Sequence, residues 1–490
     1  MTDHPLLGVT KSFINTLAKN NPFLFFYNFK TPPSLSHFGS VEPYLHQVDV
    51  LSRVACRRPV RLLVGDEIGL GKTVEALIVA RYLELRGEAS RILILVPRTL
   101  VSHWLKDLLR LGVGFDRIQT ITRDNFQQLE RQGFPPRYYL SSIDLVKEDR
   151  GPNLYRTVIS KIEWDLVIVD EAHNLTRRAG RGTTLKTELV EDLVARHPNR
   201  HTIFLSATPH RGDTQDYLNR LALLDPRLVP SRNLDNRMFY ELTHNSLIVR
   251  RTKEVVNEAE RKQIFRKCNF NALAIQPSAA EEEFERLLSN FLRSKLGNVY
   301  EHTRGRPTPL ALLLIIIRKR ASSSPYAAFK TFERVLRGIE LRKKYGLEYK
   351  KTLEQEAYNL AGTVFGIGFE DAGEMDGDFD DAVNNFAEKC GAILEAHDVP
   401  VIKRLVDLAM KIADTGDTKL AAVLDLVDRH LSRGEKVIVF TEYRDTLQYV
   451  TTASQFRKRF HEGSYLTLTG ATPTKEFDSI VDRFVEDLDC

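Results

Sequence analysis

The stretch that decides the fold is Asp66-Glu67-Ile68-Gly69-Leu70-Gly71-Lys72-Thr73. It follows the short apolar run 61–64 and precedes an amphipathic segment that extends to about residue 85. A strand, a glycine-rich loop and a helix in this order form a phosphate-binding loop, because the glycines let the backbone wrap closely around a polyphosphate. Lys72 can contact the β- and γ-phosphates of a nucleotide, and the Thr73 hydroxyl can ligate Mg²⁺. Asp66 stands where the general pattern has glycine, and an ordinary strand-to-helix turn is the alternative interpretation.

A second strand end carries two adjacent carboxylates. The segment Trp164-Asp-Leu-Val-Ile-Val-Asp-Glu-Ala-His173 predicts a buried strand that ends at Asp170 and Glu171. A carboxylate at the end of a neighbouring strand can hold the Mg²⁺ of a bound nucleotide, and an adjacent glutamate can deprotonate the attacking water. Taken alone, such a pair is usually a solvated strand end. Downstream of the Lys72 loop, it predicts the second half of a nucleotide hydrolysis site.

A third strand end has the sequence Ile203-Phe-Leu-Ser-Ala-Thr-Pro-His210. We expect Ser206 and Thr208 to hydrogen-bond His173 or Asp170 and to report the state of the phosphates to the next domain. The alternative is a plain strand-to-turn junction, because serine, threonine and proline all suit turns.

The arrangement of apolar runs predicts an α/β fold. Between about residues 41 and 270, short continuous apolar runs alternate with amphipathic stretches, which is the pattern of a parallel sheet buried on both faces and flanked by helices. Helical patterns at 281–296, 311–320, 326–345 and 401–412 predict a helical insertion over 271–415, with an acidic linker near 370–381. Apolar runs at 437–440 and 465–468 predict strands of a partial second α/β domain over 416–490. Residues 1–40 are predicted to form an irregular N-terminal arm.

Composition excludes several classes of protein. The chain has 490 residues, 42% of them hydrophobic, and a formal net charge of +5. Its longest apolar run, 310–317, is far shorter than the roughly 20 residues that a membrane-spanning helix needs. The N-terminus has no secretory signal pattern, and the four cysteines form no CxxC pair, which argues against a disulfide framework or a zinc site. We therefore expect a cytoplasmic protein with no membrane partner.

With these motifs in place, the chain resembles the superfamily 2 helicase-like ATPases, and specifically their Swi/Snf-type members. The Lys72 loop, the Asp-Glu-Ala-His (DEAH) box at 170–173 and Ser-Ala-Thr at 206–208 resemble motifs I, II and III of that family, in the right order. Asp66 in place of glycine is a feature of Swi/Snf-type proteins, and Val249-Arg-Arg-Thr-Lys253 resembles a segment that follows their first core domain. Segments 318–325 and 440–446 are similar to prokaryotic RapA-like and phage-defence-associated members. The resemblance covers about residues 41–490.

The resemblance implies RecA-like domains, ATP and Mg²⁺ as cofactors, and a set of site residues. Catalytic roles fall to Lys72, Asp170, Glu171 and His173, Mg²⁺ ligation to Thr73 and Asp170, and coupling to Ser206 and Thr208. The implied nucleotide-binding residues are Gln47, which would read adenine, together with Asp66, Glu67, Ile68, Gly69, Leu70, Gly71, Lys72 and Thr73. The implied backbone contacts to DNA are Arg98, Thr99, Ser141, Ser142, Thr441, Tyr443, Thr469 and Gly470.

A basic segment supports a nucleic-acid partner. From Arg293 to Lys351 the sequence has 15 lysines and arginines against 4 glutamates, interleaved with tyrosines and phenylalanines. Clustered positive charge on helices is typical of phosphate-backbone binding, and Arg318, Lys319 and Arg320 form its densest group. A solvated basic face whose aromatic residues belong to the core, or a face that pairs with the acidic linker, is an equally good interpretation of the pattern alone. The family resemblance favours DNA.

Together these observations predict an ATP hydrolase that translocates on double-stranded DNA without sequence specificity and remodels DNA–protein complexes at the nucleoid. The resemblance implies RNA polymerase or phage-defence proteins as further partners. Two alternatives stay open: a strand-separating helicase, and a non-hydrolysing, ATP-gated DNA-binding scaffold. The family's motifs V and VI do not occur before Cys490, so we expect slow turnover by these 490 residues alone.

Overall fold

The computed structural model describes residues 40–41, 43–54, 57–150, 154–175, 177–178, 182–195, 197, 199–208, 214–225, 247–300, 308–366, 379–461 and 463–486. The chain forms two compact units, Met1–Asn269 and Phe270–Cys490. The N-terminal arm predicted for residues 1–40 lies outside the described residues except for residue 40. The predicted acidic linker near 370–381 likewise lies outside them except for residues 379–381.

The first unit is built around a seven-stranded sheet in which all strands are parallel. The spatial order of its strands is β3-β4-β2-β5-β8-β1-β9, and a separate antiparallel pair is formed by β6 and β7. The strands are β1 (Arg61–Val64), β2 (Ile92–Val96), β3 (Ile118–Thr120), β4 (Tyr138–Ser142), β5 (Leu166–Val169), β6 (Arg177–Arg178), β7 (Gly182–Thr183), β8 (His201–Leu205) and β9 (Ile248–Val249).

The continuous apolar runs are explained by burial on both faces of this sheet. Along β1, Leu62 and Val64 face one core and Leu63 faces the other, because successive side chains in a strand point to opposite faces. Helices α1, α2 and α3 pack on the first face, and α4 to α8 pack on the second. The described helices of this unit are α1 (Leu45–Val54), α2 (Lys72–Leu85), α3 (Val101–Arg110), α4 (Phe126–Arg131), α5 (Ile143–Val146), α6 (Tyr155–Lys161), α7 (Leu185–Ala195), α8 (Thr214–Leu224) and α9 (Lys253–Glu260). The predicted α/β fold is confirmed.

The second unit is helical in its described residues. Its helices are α10 (Ala279–Tyr300), α11 (Pro309–Ser323), α12 (Pro325–Gly366), α13 (Phe379–Gly391), α14 (Val399–Thr415), α15 (Thr418–Leu431), α16 (Arg444–Thr452), α17 (Ser454–Arg459) and α18 (Thr474–Glu486). All four helices predicted between 281 and 412 are present, and α12 bends at Gly346, whose φ is 82°. The main core includes Leu313, Phe332, Phe386 and Leu405.

The two strands predicted in this unit were wrong for the residues described. Segments 437–440 and 465–468 have no regular secondary structure and belong to no sheet, and the side chains of Ile438, Val439 and Phe440 are 59%, 56% and 89% exposed. A strand requires a neighbour that completes its backbone hydrogen bonds. No strand occurs in the part of 270–490 that the structure describes, so an apolar run alone does not create one there. No described helix has the length and apolar character needed to cross a bilayer.

Candidate nucleotide-binding site

The glycine-rich loop connects the carboxyl end of β1 to the first residue of α2. Gly69 and Gly71 have φ angles of 90° and 86°, in the left-handed region that side chains other than glycine rarely adopt. A Cβ on Gly71 would also overlap the Gln47 amide nitrogen. The first turn of α2 leaves backbone N–H groups without intrahelical partners at its N-terminus, where they can bind an anion. The loop therefore has the open backbone that a polyphosphate requires.

Gln47 and its neighbour His46 hold the second half of this loop. The Gln47 amide donates to the Leu70 carbonyl oxygen at 3.1 Å and accepts from the Tyr44 backbone N–H at 3.0 Å. His46 Nε2 lies 2.9 Å from the same Leu70 oxygen. Burial lowers the pKa of His46, so that its neutral form is favoured. Gln47, predicted to read adenine, thus has both ends of its amide engaged, the nitrogen with the loop and the oxygen with the backbone that precedes α1.

Asp66 is the residue that departs from the general loop pattern, and its surroundings explain the departure. Its side chain is fully buried, and both carboxylate oxygens accept hydrogen bonds from Arg251. Glu75, in the first turn of α2, is equally buried and accepts from the same guanidinium. The buried Asp66 carboxylate is therefore paired with the partly buried guanidinium of Arg251.

Among the described residues, one cluster, formed by His46, Asp66 and Glu75, has the donor spacing of a metal site. The Arg251 guanidinium lies against both carboxylates of this cluster, 2.7 Å from Asp66 and 2.5 Å from Glu75. Burial raises the pKa of Glu75 well above its usual range, against the opposing effect of Arg251. Burial alone lowers the pKa of Arg251, but the Glu75 and Asp66 carboxylates reverse this and raise it. The cluster therefore already contains its cation.

Lys72 begins α2 and points back across the loop. Its ammonium group donates to the Asp66 carbonyl oxygen at 3.1 Å. The Lys253 backbone N–H donates to the Glu67 carboxylate at 2.8 Å and so holds the outer side of the loop. Lys72 and Thr73 are partly buried, whereas Ile68 at the tip of the loop is 69% exposed. Lys72 and Thr73 thus lie at the partly buried end of the loop, and Ile68 lies at its exposed tip.

Asp170 lies directly after β5, next to a tryptophan that the sequence analysis did not assign to the site. Trp104 of α3 donates its indole N–H to Asp170 Oδ2 at 2.9 Å, and the Glu171 backbone N–H donates to Oδ1 at 2.8 Å. Burial raises the pKa of Asp170, the Trp104 hydrogen bond opposes this, and the charge of Lys72 also lowers it. Lys72 is thus one of the groups that favour the charged form of Asp170, with a smaller effect than burial or the Trp104 hydrogen bond.

Glu171, His173 and Ser206 form a short chain of contacts between β5 and β8. His173 Nδ1 lies 2.9 Å from Glu171 Oε2 and 3.1 Å from Ser206 Oγ. Glu171 has a φ of 47°, an unusual backbone conformation for a residue other than glycine. The Ser206 backbone N–H donates to the Val64 carbonyl oxygen at 3.0 Å, at the start of the loop. The contact predicted between Ser206 and His173 is confirmed, whereas Thr208 is exposed.

The residues that the resemblance implies for DNA binding differ in exposure within the first unit. Arg98 and Thr99 are exposed in the turn between β2 and α3. Ser141 is fully buried in β4, and its hydroxyl donates to the Ser142 carbonyl oxygen at 3.1 Å. The Ser142 hydroxyl accepts from the Asp144 backbone N–H and caps α5. Arg98 and Thr99 are thus the accessible members of this set.

In the second unit the basic group 318–320 is divided between surface and core. The side chains of Arg318 and Lys319 are 47% and 41% exposed and form ion pairs with Glu285 and Glu442. Arg320 is 1% exposed, forms an ion pair with Asp445 and lies over the Tyr443 ring.

A phosphate cannot reach the Arg320 guanidinium in this arrangement, so Arg318 and Lys319 carry the DNA-binding hypothesis. Tyr443 is 3% exposed, whereas Thr441 and Gly470 are exposed and Thr469 is partly buried.

The main residues that the sequence analysis missed are Trp104, Glu75 and Arg251. Arg251 stands in the segment 249–253 already recognised by resemblance, but that resemblance does not state which partner the side chain has. Arg251 is 185 positions from Asp66 in the sequence. A signal was nevertheless present, since a charged residue at a glycine position of a buried loop calls for an opposite charge nearby.

Comparison with known proteins establishes the class of protein. A family model described as the SNF2-related domain matches residues 45–315, which is more than half of the chain. The chain therefore belongs to the SNF2-related family of helicase-like ATPases.

Several relatives share the first part of the chain. The ATP-dependent helicase YqhH of Bacillus subtilis is 32% identical over 222 residues, 45% of this chain and 36% of that protein. The RNA polymerase-associated protein RapA of Vibrio parahaemolyticus is 35% identical over 185 residues, 37% of this chain and 18% of RapA. RapA of Stutzerimonas stutzeri is 38% identical over 200 residues, 39% of this chain and 20% of that protein. The aligned part thus spans about a third or less of each relative.

Two solved structures also align with most of this chain at low sequence identity. The Sulfolobus solfataricus SWI2/SNF2 ATPase core in complex with dsDNA is 15% identical, covering 93% of this chain and 78% of that one, with a TM-score of 0.39. The Pyrococcus furiosus Hef helicase domain is 18% identical, covering 90% of this chain and 83% of that one, with a TM-score of 0.43.

Proposed function

We propose that this chain binds Mg²⁺·ATP in its first unit and belongs to an ATP-dependent translocase on double-stranded DNA. The observation that carries the proposal is the meeting of three strand ends at one edge of the sheet. The Lys72 loop follows β1, Asp170 and Glu171 follow β5, and Ser206 follows β8. The carboxyl edge of a parallel sheet is where α/β proteins bind ligands.

The residues present fit Mg²⁺·ATP. Glycine at position 71 allows the left-handed backbone of the loop, with a φ of 86°, and its missing Cβ leaves space for the Gln47 amide that holds the loop. Lys72, currently bonded to a carbonyl oxygen of its own loop, supplies a mobile cation for the β- and γ-phosphates. The Thr73 hydroxyl and the Asp170 carboxylate are oxygen ligands of the kind that Mg²⁺ prefers. When bound, Mg²⁺ would neutralise charge that develops on the phosphates.

Glu171 is the proposed general base. Its carboxylate lies 2.9 Å from His173 Nδ1, which fixes the side chain beside the metal-binding Asp170. A carboxylate held there can accept a proton from a water molecule aligned with the γ-phosphate. Because Ser206 contacts the same histidine nitrogen, a change in the position of Glu171 would alter the hydrogen bond between His173 and Ser206 at the end of β8. The proposed coupling role of Ser206 rests on this contact.

The DNA-binding part of the proposal rests on exposed cations. Arg98 in the first unit and Arg318 and Lys319 in the second are accessible to a phosphate backbone. Contacts of this kind position a duplex without reading its sequence. The family relationship and the relatives named RNA polymerase-associated make RNA polymerase a second candidate partner. We propose a cytoplasmic location at the nucleoid.

Hydrolysis is tested by two substitutions with matched controls. Lys72→Ala should weaken ATP binding by at least about tenfold, since it removes the charge placed against the phosphates. Glu171→Gln should retain ATP binding and lose turnover, because an amide cannot accept the proton of water. Lys267→Ala and Glu163→Gln change exposed residues of the same types and should leave both quantities unaltered. Equal ATP affinity in the Lys72→Ala variant and the unsubstituted protein would contradict the phosphate-loop assignment.

Two further assays separate the alternatives. Strand displacement and triplex displacement should be measured in parallel, because a pure translocase displaces only the third strand whereas a helicase scores in both. A non-hydrolysing scaffold would show no stimulation of phosphate release by duplex DNA, so a measured stimulation favours the translocase.

A further inference from the structure

We infer that Arg251 is a positioning residue for the nucleotide-binding loop and holds both ends of that loop in the geometry that receives phosphate. This inference rests on the proposed ATP-binding function. It concerns the segment 249–253, which we call the strap and which begins at the last residue of β9, the edge strand beside β1.

The strap runs alongside the start of the loop and is bonded to it at successive residues. The Gly65 backbone N–H donates to the Val249 carbonyl oxygen at 2.7 Å, and the Glu67 backbone N–H donates to the Arg251 carbonyl oxygen at 3.0 Å. The Lys253 backbone N–H donates to the Glu67 side chain at 2.8 Å. These contacts continue the pairing of β1 and β9 beyond the end of both strands.

Arg251 adds side-chain contacts to both ends of the loop. Its backbone N–H and Nε donate to the two carboxylate oxygens of Asp66 at 2.8 and 2.9 Å. Its terminal nitrogens reach Glu75 at 2.5 Å and the backbone carbonyl of His46. Asp66 begins the loop, and Glu75 lies in the first turn of the helix that follows it. A single guanidinium therefore fixes the distance between the start of the loop and the start of α2.

The link to phosphate binding passes through Asp66. Its side chain is held by Arg251, and its carbonyl oxygen accepts the hydrogen bond from the Lys72 ammonium. A displacement of Asp66 therefore moves the place from which Lys72 reaches a phosphate. Misplacement of such a group by about 1 Å can reduce a reaction rate by about a hundredfold.

Arginine is required at this position for a geometric reason. The guanidinium offers five N–H donors in one plane, whereas a lysine ammonium is a compact charge that cannot span two carboxylates and a carbonyl in the same way. Asp66 and Glu75 are completely buried, so each needs a charged or hydrogen-bonding partner. Arg250, the preceding residue, is exposed and serves as the matched control.

The test compares Arg251→Lys with Arg250→Lys, measuring the affinity for a fluorescent ATP analogue with Mg²⁺ at a temperature where circular dichroism shows each variant folded. Arg251→Lys should weaken nucleotide binding by about tenfold or more, and Arg250→Lys should change it less than about twofold. Asp66→Asn removes the charge at nearly constant size, should weaken binding in the same direction, and decides the matter where Arg251→Lys does not fold.

Each outcome has one meaning. Folded Arg251→Lys or Asp66→Asn protein that binds the nucleotide within about twofold of the unsubstituted protein would overturn the inference. Failure of both variants to fold would also overturn it, since the cluster would then serve the fold and not the loop. Lys72→Ala in the same titration separates the two proposals. Unchanged nucleotide binding by Lys72→Ala would contradict the proposed ATP-binding function itself. Lost binding by Lys72→Ala together with normal binding by the Arg251 and Asp66 variants would contradict only the positioning role of Arg251.

Discussion

Replacing Trp104 with phenylalanine should weaken Mg²⁺ binding at the nucleotide site. The substitution removes the indole N–H that donates to Asp170 at 2.9 Å and retains an aromatic ring in a site that is 1% exposed. A hydrogen bond to a charged acceptor contributes about 1.5–3 kcal/mol. Loss of a group that orients a metal-binding carboxylate reduces metal affinity by about 10–100-fold. We expect an increase of that size in the Mg²⁺ concentration that half-saturates nucleotide binding.

Trp164 provides an unusually close control. It is 3% exposed and donates its indole N–H to the Ile159 carbonyl oxygen at the same distance of 2.9 Å, away from the carboxylate pair. Trp164→Phe thus removes the same atoms and one hydrogen bond from the same unit. Its Mg²⁺ titration should shift by less than about twofold, even if its stability falls as much.

The assay is a Mg²⁺ titration of binding of a fluorescent ATP analogue, repeated across pH. Because burial raises the pKa of Asp170 and the Trp104 hydrogen bond opposes this, Trp104→Phe should raise that pKa further. A protonated carboxyl cannot ligate the metal, so Mg²⁺ binding should weaken at a higher pH in Trp104→Phe than in Trp164→Phe. Equal shifts in both variants would refute the role given to Trp104.

Three further predictions test the loop, the DNA contacts and a buried histidine. Gly71→Ala should reduce ATP affinity by about tenfold or more, because its Cβ would overlap the Gln47 amide. Gly87→Ala, at a similar φ of 71° but with no atom within 4 Å of the new Cβ, should bind ATP normally. Equal ATP affinities in the two variants would contradict the importance of the contact between residue 71 and Gln47. The double substitution Arg318→Glu and Lys319→Glu should lower the slope of log affinity for duplex DNA against log salt by about one unit per lost phosphate contact. The exposed control Arg433→Glu should leave that slope unchanged. An unchanged slope in the double variant would show that Arg318 and Lys319 are solvated surface residues that do not contact DNA. Burial lowers the pKa of His201, whose Nδ1 accepts from the Val60 N–H at 2.9 Å. As the pH falls below 6.5, the histidine of the unfolded chain is protonated before that of the folded chain, so the free energy of unfolding should fall. Asparagine there can accept the same bond without titrating, and denaturant unfolding of His201→Asn should show a flatter acid limb; an identical limb would exclude the histidine as its source.

The sequence predicted those strands whose side chains alone determine them. β1, β5 and β8 are runs of four or five residues with strongly apolar centres, fully enclosed between two cores, so their pattern is unambiguous. β4 ends in two serines, and β9 has only two residues, so each depends on neighbouring strands for its definition. The segment 437–440 shows the converse, since a good strand pattern without a paired neighbour gives no strand in the described structure.

The candidate site was predicted in its motif residues but not in their supports. Lys72, Asp170 and Glu171 stand in local patterns whose spacing carries their chemistry. Arg251 meets Asp66, and Trp104 meets Asp170, only because strand order brings distant segments together. Arg320 illustrates the opposite error: charge density favoured a surface role, while its pairing with Asp445 in a buried position could be recognised only from the fold.

The placement of the two tryptophans also equips the protein with its own optical probe. The sequence contains only these two, and both lie in the first unit. Trp164 is enclosed by the rings of Phe134 and Tyr139, whereas the Trp104 indole is bonded to the carboxylate proposed to hold Mg²⁺. In a Trp164→Phe background, all tryptophan emission would arise beside Asp170. Metal and nucleotide occupancy could then be followed in an unlabelled protein, in real time, by the intensity and wavelength of that single emitter.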